Sequence, residues 1–317
     1  MSDLSKVGAS AKDRGRDPSA YALRPRPSLG NQIFAAFIRD TRTLDLQPRQ
    51  RFTFYPAFPF CVFNWIFEGA AYEVAGCDVD VDLATAHPLP KVYFCGPRTK
   101  PVTIWSSDKS VILSVGFFPH AIAALTHRDV AELVDVTSPA SAILGDDLSR
   151  ICTSVAQAAD PKAAFELLQD ALAQRTSMSA SIPLPGGADS VRAWEPAIVL
   201  EAAGPPGARS KRQTERRIKQ WTGHARRGLA MYLRAEQFFE QALVAGSQEP
   251  PWSGVAHDLG FSDQSHMIRN TKRLTGFTPR ALYRRLDEEP FWCYRVLGDL
   301  LAHPSRSLLG TTPCKSP

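Results

Sequence analysis

Gln264, Ser265, Ile268 and Arg269, followed by Lys272 and Arg273, form the densest group of side chains in this sequence able to read or grip a nucleic acid. Gln and Arg carry paired donors and acceptors that match adenine and guanine edges in a major groove; Lys and Arg farther along suit phosphates. Their spacing predicts a helix over residues 263–274. Met267, Thr271 and Leu274 fall at i, i+4 and i+7 on an inward face, and the polar set falls mostly on the other. Ser262 is placed as the N-cap, Asp263 suits the positive first turn, and Gly276 closes the helix. A shorter helix is predicted over 252–259, where Trp252, Val255, Ala256 and Leu259 recur at helical spacing, and Gly260 supplies the tight turn between the two. Such a pair is a helix-turn-helix.

From Gly260 onward the chain resembles the AraC/XylS family of transcription regulators. The run GFSDQSH at 260–266, then Met267, Arg269, Lys272, Arg273, Gly276, Thr278, Pro279, Tyr283 and Arg284, follows the family's second helix-turn-helix nearly without gaps. Met267 and Thr271 stand where Phe is usual. The resemblance implies a first unit as well, matched by Ser210, Arg212, Thr214, Arg216, Ile218 and Gly223, with Gly204-Pro205-Pro206-Gly207 at its turn. This unit is divergent: Thr214 and Ile218 replace larger residues, Arg226 stands in place of a Pro, and Pro196 limits where the preceding helix starts. Its helix is strongly basic, through Arg209, Lys211, Arg212, Arg216, Arg217 and Lys219. On this reading Gln264, Ser265, Ile268, Arg269, Arg212 and Arg216 contact bases. Lys272, Arg273, Lys211 and Ser262 contact the DNA backbone. A long helix over 229–244 would hold the two units in register for successive major grooves.

Charge agrees with an anionic partner. Between Pro205 and Arg285 there are 15 Lys/Arg against 6 Asp/Glu, whereas the rest of the chain is slightly acidic. Asp287–Glu289 would then mark the end of the DNA surface. No uninterrupted apolar run approaches a membrane span. The first 17 residues lack the apolar core of a secretory signal, so a cytoplasmic location is expected. Cys61, Cys77, Cys95, Cys152, Cys293 and Cys314 include no C-x-x-C pair.

The chain of 317 residues is long enough for two domains. The expected fold class is α+β: an N-terminal β-rich domain, cupin-like or a degenerate jelly roll, with connecting helices, then an all-α domain with two helix-turn-helix units. Residues 1–28, polar and aperiodic, are expected to be a disordered arm; Arg14, Arg16, Arg24, Arg26 and, just beyond it, Arg39 are candidate DNA contacts, with a solvated arm the favoured alternative. The β-rich domain spans 29–175, a linker 176–188, the DNA-binding domain 189–289 and a C-terminal extension 290–317. Strands are read in FTFYPAFPFCVFNWIFEG, AYEVAG, KVYFCGPRTKPVTIW and VILSVGFF. Helices are read from Pro119, over 140–159 and over 162–175, the last capped by Asp160 with Pro161 at its first position. A looser likeness to one subgroup of the family rests on Phe117, Phe118, Pro119, Ala121, Glu132, Leu133, Asp135, Leu144 and Gly145.

Strand alternation puts Phe63, Trp65 and Phe67 on one face and Asn64, Ile66 and Glu68 on the other. In a hollow barrel the first set would line an apolar ligand pocket with Tyr93 and Trp105; a solid domain used for association competes with that reading. His87, His120 and His127 stand alone, so no metal, cofactor or catalytic residue is assigned. The partners expected are double-stranded DNA, a small-molecule effector, RNA polymerase by the resemblance, a second copy of the chain, and no membrane. Two rival readings are a cupin-type enzyme with a basic passenger domain and a nonspecific architectural DNA-binding protein. No H-E-x-x-H, G-x-S-x-G, P-loop or dinucleotide fingerprint supports the enzyme.

Overall fold

The computed structural model describes residues 19–76, 83–175, 189–244 and 250–302. Strands dominate the first half: β1 (Ala20–Leu23), β2 (Ile33–Asp40), β3 (Phe52–Tyr55), β4 (Cys61–Glu68), β5 (Ala71–Val74), β6 (His87–Pro88), β7 (Val92–Cys95), β8 (Val102–Ser106) and β9 (Val111–Phe117). Helix α1 (Pro119–Thr126) and strand β10 (Thr137–Pro139) follow. Two antiparallel sheets result, one in the order β1-β2-β9-β4-β7-β10, the other β3-β8-β5-β6. The strand runs expected from alternation are present. The arm was expected to be unstructured through residue 28, and here the expectation fails. Residues Ala20–Leu23 pair with β2 from Ala20 opposite Arg39 to Leu23 opposite Ala36, and Ala20, Ala22 and Leu29 are buried.

Helices α2 (Asp146–Ala156) and α3 (Pro161–Arg175) cover the outer face of the larger sheet. Asp160 caps α3 as expected, its Oδ1 accepting from the N–H groups of Lys162 and Ala163 at 2.8 and 2.9 Å. The alternation along β4 is real, but its sides are the reverse of those expected for a pocket. Phe63 and Trp65 face α2 and α3 and are buried against Phe165 and Leu168, with the Trp65 Nε1–H donating to the carbonyl of Cys152 at 3.0 Å. Phe67 packs against the same core. Val62 and Asn64 point into the space between the sheets. The apolar face was the one that helices cover, which is where burial of large rings stabilises most.

The second half is helical: α4 (Asp189–Ala203), α5 (Lys211–Thr222), α6 (Arg226–Val244), α7 (Trp252–Asp258), α8 (Gln264–Thr275), α9 (Pro279–Arg285) and α10 (Trp292–Ala302). Pro196 does not delimit α4. The helix passes through it, with the ring on an exposed face. The linker, Arg14, Arg16 and the last dozen residues lie outside the described residues. Of the other arginines considered for DNA, Arg24 donates to the Leu300 carbonyl at 2.7 Å, Arg26 pairs with Glu166 and Asp170, and Arg39 is buried against Glu289. All three are used inside the fold.

The halves share cores. Phe60 and Phe118 pack with Trp194, Ile198, Ile218 and Leu229. Phe52 and Phe54 join Phe238, Met267, Leu282 and Phe291. Ala20, Ala22 and Ala35 meet Trp292, Val296 and Leu300 of α10. The C-terminal helix therefore packs on both halves.

Candidate nucleic-acid interface and interdomain cavity

Helix α8 carries the side chains singled out from sequence. Met267, Thr271 and Leu274 are buried, while Gln264, Ser265, Arg269, Lys272 and Arg273 are exposed and Ile268 is half-buried. The inward set packs on α6 and α7, which sets the outer set on the surface. Asp263, not Ser262, is the N-cap: its Oδ1 accepts from the His266 N–H at 2.6 Å. That bond, then the Ser262 hydroxyl donating to the other carboxylate oxygen, holds Asp263 below the usual carboxylate range. The Ser262 hydroxyl also lies 3.1 Å from His266 Nδ1. Its expected phosphate contact would compete with these bonds. Gly276 and Gly260 take left-handed conformations, φ 83° and 68°, as their places at the helix ends require. Arg273 reaches Met231 of α6.

Helix α5 begins with a capping box: Ser210 Oγ accepts from the Gln213 N–H at 3.3 Å, and Gln213 Oε1 accepts from the Ser210 N–H at 2.8 Å. Ile218 and Thr222 are its buried residues; Lys211, Arg212 and Arg216 are exposed. Lys211, Arg212, Arg216 and Lys272 have no ion-pair partner among the described residues. Arg217 lies over the Trp221 ring at 4.4 Å, and Arg226, where the resemblance has Pro, pairs with Glu195 at 2.8 Å. Between the two units, α6 has 19 residues, a rod about 28 Å long at 1.5 Å per residue. It packs on α4, α5 and α8.

The β-domain holds both basic helices at their C-terminal ends. At α5, Gly223 (φ 74°) lies against Val130 and Val134. At α8, the Ala57 N–H donates to the Leu274 carbonyl at 2.6 Å, one of the terminal carbonyls a helix leaves unpaired. Two buried histidines sit at the same seam. His120 on α1 has Nε2 at 3.0 Å from the Asn31 carbonyl and accepts at Nδ1 from the Trp194 Nε1–H at 3.3 Å. Burial lowers it to about 4. Burial also lowers His224 to about 4, with Asp135 opposing, and its ring packs on Tyr232. His87 and His127 are exposed.

A cavity of about 140 Å³ lies between the sheets, and the helical half supplies part of its wall. Tyr55, Asn64 and Tyr93 line it from the strands. Tyr232, Phe239 and Trp292 line it from α6 and α10. Of the five pocket residues expected, Tyr93 alone is in its wall. Trp105 sits on the outer side of β8, its ring 5.7 Å from that of Tyr72 and its edge against the second core. Sequence reasoning missed Asn64, Arg98, Tyr232 and Trp292. Their signal was a polar Asn alternating with large rings, and rings on helices assigned elsewhere. Among the described residues no three His, Cys, Asp or Glu side chains group as metal ligands, and no helix is long and apolar enough to cross a membrane.

No family model and no curated protein matches the sequence. Among solved structures, an apo variant of ToxT from Vibrio cholerae aligns over 79% of this chain and 97% of its own, with 13% identity and a TM-score of 0.38. Wild-type ToxT from Vibrio cholerae with a bound unsaturated fatty acid aligns over 84% and 93%, with 14% identity and a TM-score of 0.35. The AraC-like transcriptional activator CuxR aligns over 84% and 77%, with 12% identity and a TM-score of 0.24. These likenesses assign no role to any residue of this chain. Its functional reading rests on its own side chains.

Proposed function

We propose that this chain is a sequence-specific, ligand-responsive DNA-binding regulator of transcription, organised like the AraC/XylS proteins that its C-terminal motifs resemble. One observation carries the reading: the outward face of α8 presents Gln264, Ser265 and Arg269 to solvent while Met267, Thr271 and Leu274 lock its other face into the protein. Gln264, Ser265, Ile268 and Arg269, with Arg212 and Arg216 of α5, read base edges. Lys211, Lys272 and Arg273 grip phosphates, and Ser262 assists where its bonds to Asp263 and His266 yield. The cavity receives a small-molecule effector. Its wall includes Ala57, whose N–H holds the end of α8, so occupancy bears on the reading helix. Activation, contact with RNA polymerase and pairing with a second copy are what the resemblance implies.

The test is selection of duplexes from a random pool by the full-length protein at physiological salt, with and without a metabolite extract. Retained sequences converge on a motif, and the extract changes the yield. Equal retention of random and enriched duplexes would mean an architectural DNA-binding protein instead.

A further inference from the structure

The cavity between the halves is small, ringed and nearly free of charge. Nine aromatic rings are among its described lining residues, and of those residues Arg98 alone is charged. Phe34 and Phe60 stack at 4.6 Å on one side. Tyr55 meets Trp292 edge-on at 6.0 Å on another. Walls of this kind favour a flat aromatic guest, through offset and edge contacts. An apolar cavity of about 150 Å³ takes a benzene-sized molecule, so about 140 Å³ fits one ring with a short substituent.

The polar atoms facing this space are donors in excess. Asn64 is 6% exposed, and its Oδ1 accepts from the Ser114 hydroxyl at 2.6 Å. Its Nδ2 finds only the Val62 carbonyl at 3.5 Å and the Cys95 sulfur at 3.9 Å, both too long to satisfy an amide donor. The buried Tyr93 hydroxyl has no hydrogen bond among the described residues. A buried donor without an acceptor is costly, and a guest that supplies one recovers that cost.

Charge decides between a neutral acceptor and an acid. The Arg98 guanidinium is already paired with Glu73 at 3.4 Å and donates from Nη1 and Nη2 to the Asp135 carbonyl at 3.2 Å and to Thr137, while its Nε has no hydrogen bond among the described residues. A carboxylate entering the cavity would lose its hydration and add a second negative charge beside an Arg98 that Glu73 already balances. We propose that the cavity binds a small, neutral aromatic compound bearing a hydrogen-bond acceptor, such as an aryl ketone, with the Asn64 amide and the Tyr93 hydroxyl as its donors. This deepens the regulator reading above and rests on it for its biological meaning.

Isothermal titration of the full-length protein with four probes tests the proposal: acetophenone, ethylbenzene of the same shape without the acceptor, benzoate at pH 7, and decanoate. Acetophenone binds saturably, one per chain, at least about tenfold tighter than benzoate or decanoate. Asn64→Leu weakens acetophenone about tenfold and ethylbenzene less than about twofold. Tyr93→Phe, which breaks no hydrogen bond among the described residues, gives a smaller loss of the same selectivity and serves if the first variant does not fold. Tighter binding of either acid, equal losses for ketone and hydrocarbon in the variants, or no saturable aryl binding would overturn the proposal. Duplex selection on the same preparation separates the two readings. A convergent motif without aryl binding ends the ligand class alone, and unselective retention ends the regulator reading while the titration stands.

Discussion

The Trp194 indole donates its N–H to Nδ1 of His120 across 3.3 Å, joining the first helix of the basic half to the helix that follows the last long strand of the β-domain. The bond needs a neutral imidazole, since a protonated ring has no acceptor to offer. Burial supplies it by lowering His120 to about 4; the Asn31 carbonyl works the other way. His224, also lowered to about 4 by burial, behaves alike.

Unfolded histidine titrates near 6.5. Between about 6.5 and 4 the unfolded chain therefore takes up protons that the folded chain refuses. Stability from these residues is full above pH 6.5 and is lost as pH falls toward 4, by up to about 1.4 kcal/mol per pH unit for each histidine. Urea unfolding at pH 7, 6 and 5 measures the slope. His120→Gln reduces it by about one proton; an unchanged slope would mean His120 is solvated.

Two left-handed glycines give a matched pair. A Cβ on Gly223 would lie 2.5 Å from Val134 Cγ2 and 3.4 Å from the Val130 carbonyl, whereas one on Gly260 meets open space. Ala at either position costs about 1–2 kcal/mol of backbone strain. At Gly223 overpacking adds about 1–3 kcal/mol. Denaturant midpoints should rank Gly223→Ala well below Gly260→Ala. Equal losses would place α5 away from the β-domain in solution.

Arg39 and Glu289 form an ion pair between the halves, with Arg39 also over the Trp292 ring at 5.2 Å. Both side chains are largely buried, and Glu289 also lies 3.8 Å from the buried Arg295, so Glu289→Leu alone removes the carboxylate that balances these guanidiniums and costs about 3–5 kcal/mol. The double change Arg39→Met with Glu289→Leu should recover part of that loss, Arg295 keeping its bonds to the Leu286 and Glu288 carbonyls. A double-mutant cycle with no coupling would contradict the pairing.

For DNA, Arg269→Ala should cost about 1–3 kcal/mol at a selected site and relax base preference there. Lys272→Ala should weaken all sequences alike and lower the salt slope by about one phosphate contact. Binding titrations on selected and scrambled duplexes at several salt concentrations separate the two. Uniform loss from Arg269→Ala would reassign it to the backbone.

Helix α8 was legible because a period of 3.6 sorts Met267, Thr271 and Leu274 from Gln264 and Arg269 without tertiary information. A strand period of 2 sorts β4 equally well into Phe63 and Trp65 against Val62 and Asn64. It cannot say which side a helix covers, so the pocket was placed on the wrong face. Strand β1 escaped because it is only four residues long, its two alanines buried by α10 and its Tyr21 and Leu23 set against the first core, a pattern too short to register beside Arg24 and Pro25. Helix α4 runs through Pro196 because Trp194, Ile198 and Ala202 anchor its other face in the shared core. The cavity was illegible in principle. Its wall joins residues as far apart as Phe34 and Leu297, and no local pattern encodes a surface assembled at that separation.

The Trp292 indole donates to the Thr53 hydroxyl at 2.9 Å, 239 positions earlier in the chain. Contacts this distant form late. During synthesis the sheet edge formed by β1 and one wall of the cavity stay uncovered until α10 has left the ribosome. A nascent chain that has reached α9 but not α10 therefore carries apolar strand surface open to chaperones, and a stop ahead of α10 would release a species prone to aggregation.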